Sequence, residues 1–487
     1  MNADEPQADP YRCPGEQHAI SRAVHLGRLA AFYPACRQCP RREETGTLSP
    51  RRVAQLAETS RRGRPRSLFH EEGAGGVYLN DLSPAVARDI AAAFAAVLGD
   101  DERGGEGERG RQGDEQRSDF SPSPRLPVSP SFVLAGDGRP LTAELVAAAA
   151  EGLRSTGCNV VDIGPSTAPC LAFAVGHLQA AGGILIGNPG EDSHSVGMKF
   201  WAAGPRPLSL SGDSPIFADA KIGTVPFTVG AGVSLEAIIQ RYEAGPAPPA
   251  RNHGQLRRYE ADRPYLALIA EYYHALRPLR VIVDSASRPT LDFLQRLAAT
   301  VACQIIPSRS TRAELPRQIL ADTAHFAACI NGDGETCRVL DERGQEVSPE
   351  RLLLLLAGNA DEFPIVGGDS CRRLPDALSQ SATGVASYNP KPAGAVVLES
   401  DTTSAIDERL KRLGISVARS GPRRADMAAA MLKHGATLGG GPSGRFWHSA
   451  AGPPLCDALM TVTRLLIALS RGDAPLSQVL DRDAPFE

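Results

Sequence analysis

Cys36 and Cys39 are separated by two residues in a segment that also holds Cys13, His18 and His25. Thiolates and imidazoles grouped around a C-x-x-C knuckle are the ligands that tetrahedral zinc takes. Cys13, Cys36 and Cys39 supply three sulfurs, and His18 or His25 the fourth ligand. The same residues also fit three unligated thiols, because the C-x-x-C pair stands alone. A redox role is disfavoured, since no βαβ pattern surrounds the pair. The other seven cysteines, Cys158, Cys170, Cys303, Cys329, Cys337, Cys371 and Cys456, are scattered through core-like segments. They read as small buried residues or free thiols of a reducing compartment.

The elements that must position such groups follow from periodicity. Ser67 to Leu98 reads as a short strand, a glycine loop and an alanine-rich helix introduced by Ser83-Pro84. Residues 99–131 alternate in charge and cluster Pro and Ser, which predicts a disordered surface insert. From Ser131 onward, apolar and β-branched strands alternate with helical stretches of ten or more residues (FVLAG, TAELVAAAAEGLRSTG, NVVDIG, CLAFAVGHLQA, GGILIG). That alternation argues for doubly wound α/β architecture. The pattern recurs twice more, which argues for internal duplication. The expected organisation is an N-terminal extension (1–66), three α/β units (67–250, 258–363 and 364–472) and a tail (473–487). The helix Cys456 to Ser470 is apolar on one face and interrupted by Arg464, as a packing helix would be.

Composition bounds the function. With 487 residues, 42% hydrophobic and 22% charged, the chain is globular and too long for one core. A formal net charge of -4 gives no reason to expect a nucleic acid or an acidic membrane as partner. The polar, acidic start MNADEPQADP is unlike a secretory signal, and apolar runs fall far short of the roughly 20 residues that span a bilayer. A cytoplasmic protein is expected.

Gly182 to Phe200 reads GGILIGNPGEDSHSVGMKF, and GDGRPLTAELVAAAAEGLRSTGCNVVDIGPSTAPCLAFAV precedes it. These blocks resemble the phosphoglucomutase/phosphomannomutase (α-D-phosphohexomutase) family, whose active-site loop runs roughly GGIMITASHNPPEYNGIKF. The resemblance covers about Ser67 to Leu469 and implies three consecutive phosphohexomutase-like α/β domains. It implies phosphoryl transfer from an enzyme phosphoserine, but the serine position is Pro189, which has no hydroxyl. Ser193 and His194 keep a Ser-His pair four residues later, and Lys199 falls on the family lysine.

The family's magnesium loop, D-G-D-x-D-R, corresponds here to Asn331-Gly332-Asp333-Gly334-Glu335. One carboxylate has become an amide and another a longer acid, which implies weak magnesium binding at Asn331, Asp333 and Glu335. The sugar loop G-E-x-S-G-H becomes Gly440-Gly441-Pro442-Ser443-Gly444-Arg445. It keeps Ser443, loses the glutamate and gains a guanidinium that, with His448, suits an anion. Gly73-Ala74-Gly75-Gly76 stands where the family carries an arginine, while Asp137-Gly138-Arg139 is retained. After Leu469 only SRGDAPLSQVLDRDAPFE follows, so the fourth, phosphate-binding domain is expected to be absent.

With these departures, the resemblance implies a relative that binds a phosphosugar or another anion through Arg139, Lys199, Ser443 and Arg445, or serves a regulatory role, without mutase turnover. The N-terminal extension would then offer a contact for a protein partner. An active mutase interconverting hexose 1- and 6-phosphates, and a changed enzyme on the same scaffold, are the alternatives.

Overall fold

The computed structural model describes residues 11–13, 18–31, 33, 36, 39–53, 56, 68–70, 72–107, 129–187, 195–203, 224–226, 235–246, 248–273, 276–359, 394–449 and 454–482. Three sheets form the framework, and each repeats one arrangement. The first places Ser131–Gly136 between Asn159–Pro165 and Gly182–Gly187, all parallel, with Ser195–Ala203 antiparallel beyond Gly182–Gly187. In the second, Arg280–Asp284 lies between Gln304–Pro307 and Phe326–Ile330, followed by antiparallel Cys337–Asp341 and Glu346–Val347. In the third, Ala395–Glu399 lies between Ser416–Ser420 and Leu438–Gly440, followed by antiparallel Phe446–His448 and Leu455–Cys456. Parallel neighbours require a crossover, and the alternating helices supply it. The α/β alternation expected from sequence is therefore present throughout.

Several expectations change in detail. The glycine loop is a strand: Gly73–Val77 pairs antiparallel with Ser195–Ala203, Ala74 opposite Met198. The helix begun at Pro84 runs to Gly107, into the segment expected to be a disordered insert. Ala87, Ile90, Ala91, Phe94 and Ala95 give it a buried stripe at helical spacing, and the helical backbone carries on past that stripe. This helix crosses Pro140–Ser155 at Gly152, where a Cβ would stand 2.1 Å from the carbonyl oxygen of Arg88. Only glycine allows that approach.

Past residue 250, Leu256–Arg258 still belongs to the first sheet, parallel to Asn159–Pro165. The tail is also structured over part of its length. Leu476–Arg482 is a helix whose Leu476 and Leu480 are buried, and Ser477 is bound by Glu342. The helix Ala458–Ser470 is buried on nearly every face and not on one alone, Arg464 included. It lies inside a continuous apolar core that joins Val133 and Leu171 of the first unit to Val281 and Leu353, and to Val396 of the third sheet. Among the described residues no helix is long and apolar enough to cross a membrane.

Candidate functional site

The acidic turn between Phe326–Ile330 and Cys337–Asp341 is built by its own side chains. Asn331 Oδ1 accepts from the backbone N–H groups of Glu335 at 3.0 Å and Thr336 at 2.9 Å, and Asp333 Oδ1 accepts from Glu335 N at 3.2 Å. Such a side-chain-to-backbone turn is a habit of Asn and Asp. Two helices then lock the turn from outside. Ala168 N, starting Ala168–His177, donates to the carbonyl of Asp333 at 2.8 Å, and Ala458 N, starting Ala458–Ser470, to that of Gly334 at 3.0 Å. Helix-terminal amides have no partner within their own helix, so these contacts satisfy both parties.

Four further segments converge on this turn. Lys199, from the strand Ser195–Ala203, donates from Nζ to Asp333 Oδ2 and, at 3.2 Å, to Glu335 Oε2. Arg424, at the start of Arg424–His434, forks onto Glu335, with Nε to Oε1 at 2.7 Å and Nη2 to Oε2. Its Nη1 reaches Glu72 at 3.0 Å. Arg445 closes the network with both terminal nitrogens on the Glu72 carboxylate at 2.8 Å each. Lys199, Asp333, Glu335 and Arg424 are all buried.

The charges set one another. Burial would raise the Glu335 pKa, but Arg424 and Lys199 outweigh it and hold the carboxyl well below the usual range. Burial likewise opposes the charge on Arg424, and Glu335 and Glu72 reverse that effect, raising its pKa. Glu72 is lowered in the same way by Arg424 and Arg445. His70, beside the site, is pushed down by burial with help from Lys199 and Arg424, against the opposite pull of Glu72.

The loop 440–445 is tied to the acidic turn. Thr336 and Arg445 form an antiparallel bridge, and Cys337 N donates to the Gly444 carbonyl at 2.9 Å. Ser443 does not face the ion network; its N–H and hydroxyl both bind the carboxylate of buried Glu399. A Cβ on Gly441 would lie 2.6 Å from Glu399 Oε2, so the glutamate on the neighbouring strand occupies the space beneath this residue. A cavity of about 260 Å³ adjoins the network, lined among others by His70, Gly76, Gly187, Ser195, Lys199 and Asp333.

The structure thus brings together Lys199, Asp333, Glu335 and Arg445 of the residues singled out by sequence. Asn331 stands in the same turn with its oxygen directed at the backbone. Arg139 lies apart: it braces Asp137 at 2.5 Å and binds the Ser195 carbonyl at 3.1 Å. His448 is buried against Thr461 at 2.9 Å, and burial with Arg464 nearby lowers its pKa, so it is a neutral core residue and no anion ligand. Pro189, Ser193 and His194 lie outside the described residues.

In the N-terminal extension Cys13, Cys36 and Cys39 are buried, and burial together with the other two sulfurs pushes the Cys36 thiol up to about 11. Arg28 donates to Cys13 Sγ at 2.9 Å, His25 stacks on Tyr11, and His18 is exposed. Among the described residues no group of three or more His, Cys, Asp or Glu side chains is placed to hold a metal ion. Zinc is accordingly not assigned to these cysteines.

Sequence reasoning missed Glu72, Arg424 and Glu399. Arg424 left one signal. Cations oppose the dipole at a helix start, so Arg423-Arg424 opening a helix points to a role outside that helix.

The family model for the α/β/α domain I of phosphoglucomutase/phosphomannomutase matches residues 125–222. The phosphoglucosamine mutase of Symbiobacterium thermophilum is 27% identical over 369 residues, covering 72% of each chain. That of Heliobacterium modesticaldum is 25% identical over 440 residues, covering 85% of this chain and 82% of its own. A solved phosphoglucomutase/phosphomannomutase family protein from Burkholderia thailandensis superposes with a TM-score of 0.62 at 20% identity, over 85% of this chain and 79% of that one. In sequence over most of its length and in fold, the chain is similar to the phosphoglucomutase/phosphomannomutase family.

Proposed function

We propose that this protein is an intramolecular phosphotransferase acting on hexose or hexosamine phosphates. The observation that carries the reading is the convergence of Lys199, Asp333, Glu335, Arg424 and Arg445 beside a small glycine-lined cavity. Likeness along most of the chain to proteins named phosphoglucosamine mutase supports it. The Lys199 ammonium on the cavity wall can meet a phosphorylated ligand, and positioning with electrostatic stabilisation is most of what phosphoryl transfer asks of a protein.

The reaction needs a hydroxyl that carries phosphate between two positions of the sugar. Pro189 cannot serve, and Ser193 is one of two serine hydroxyls in the same stretch, two residues before the cavity-lining Ser195. In the exchange, phosphorylated Ser193 gives its phosphoryl group to the free sugar hydroxyl, whose proton passes to a base, with His194 adjacent. The other phosphoryl group then returns to Ser193, and the proton to the sugar oxygen it leaves. Incubation with a hexose 1,6-bisphosphate is expected to add one phosphoryl group in intact-mass measurement, and Ser193→Ala to abolish both the gain and the turnover.

Pro189 at the family's serine position favours a second reading, binding without transfer. Thermal stabilisation by sugar phosphates with no phosphoprotein and no turnover would establish that reading against the first.

A further inference from the structure

The resemblance implies magnesium at the turn 331–335, and the residues there do not fit it. A divalent hard cation needs several charged oxygens with open lone pairs. Both oxygens of Glu335 are taken by Arg424, with Lys199 also on Oε2. Asp333 has one oxygen on Lys199 and the other on a backbone N–H. The Asn331 oxygen is turned onto two backbone amides. In the network as a whole, Glu72, Asp333 and Glu335 face Lys199, Arg424 and Arg445, three negative charges against three positive. A divalent ion would therefore bring two uncompensated charges into a buried, balanced cluster.

We propose that Lys199 and Arg424 are the resident cations of this cleft, standing in place of a divalent metal. The acidic pair Asp333 and Glu335 positions them. An ammonium held in this way supplies fixed positive charge beside the cavity without any ion entering from solution. The inference concerns the cleft's charge and stands whether or not the protein turns over a sugar phosphate.

The test is manganese binding to the full chain, followed by electron paramagnetic resonance, with thermal shift in magnesium chloride as a second readout. The native protein and Asp333→Asn are expected to be indistinguishable in both. Lys199→Met is expected to gain a manganese site, at least tenfold tighter than anything in the native protein. Adding Asp333→Asn to Lys199→Met should remove it. Manganese bound by the native protein and lost in Asp333→Asn would overturn the proposal, and so would Lys199→Met folding without gaining a site. If Lys199→Met folds only when manganese is present, that supports the proposal. If it folds under neither condition, Lys199→Gln, which keeps an amide donor toward Asp333, takes its place with the same two outcomes.

Discussion

At the scale of single residues, the site is governed by the cost of burying charge. Glu335 stays ionised only because Arg424 and Lys199 meet it, and Arg424 in turn is held by Glu335 and Glu72. Removing one partner of a buried pair leaves the other uncompensated, which typically costs about 3–5 kcal/mol. Arg424→Met is expected to destabilise the protein by that amount in urea unfolding. Adding Glu335→Gln should recover about half, because one stranded charge is then gone and Glu72 keeps Arg445. Strictly additive losses in the double variant would mean that the pair is not coupled.

At the scale of elements, helix starts are used as fixed donors. Ala168 and Ala458 present their N–H groups to the acidic turn, and Asp457 caps the second helix by accepting from Met460 N at 3.0 Å. Asp457 also accepts from Tyr265 Oη at 2.7 Å. Burial pushes its carboxyl up to about 6, although those hydrogen bonds pull the other way. In the unfolded chain the group titrates near 3.8. Between these values the native state holds a proton that the unfolded state has released, so this group's contribution falls as pH rises from about 4 to 6. The stability of the native protein relative to Asp457→Asn should therefore drop by roughly 2 kcal/mol from pH 4 to pH 7. A difference independent of pH in paired urea titrations would refute the assignment.

At the scale of the whole molecule, one apolar core runs through residues of all three sheets, and the N-terminal extension packs Leu29, Cys36 and Leu56 against Val77 of the first sheet. Shared core makes the units depend on one another for burial. The chain's two tryptophans, Trp201 on the first sheet and Trp447 on the third, are both buried and report on different sheets. Trp201→Phe and Trp447→Phe, each leaving one reporter, are expected to unfold with fluorescence midpoints that match their far-ultraviolet circular dichroism. Separate midpoints for the two reporters would show that the units unfold independently.

Much of this architecture was legible in the chain itself. The two ends of the nineteen-residue frame from Gly182 to Phe200 are paired antiparallel strands in which Leu185 lies opposite Lys199, and the strand-helix alternation from Ser131 corresponds to the observed elements. Period-2 and period-3.6 patterning is a property of neighbouring residues, so sequence alone determines it. The glycine strand was misread because paired glycines leave no apolar alternation to detect, and the extent of the helix to Gly107 was masked by its polar composition. The site's chemistry had no such local trace. Lys199 meets Asp333 across 134 positions, Arg424 meets Glu335 across 89, and Arg445 meets Glu72 across 373. The resemblance implies that the turn 331–335 carries one carboxylate fewer than the family's metal loop. That two basic side chains neutralise what remains was decided only by the tertiary structure, because charge pairing acts through space and leaves no period in the chain.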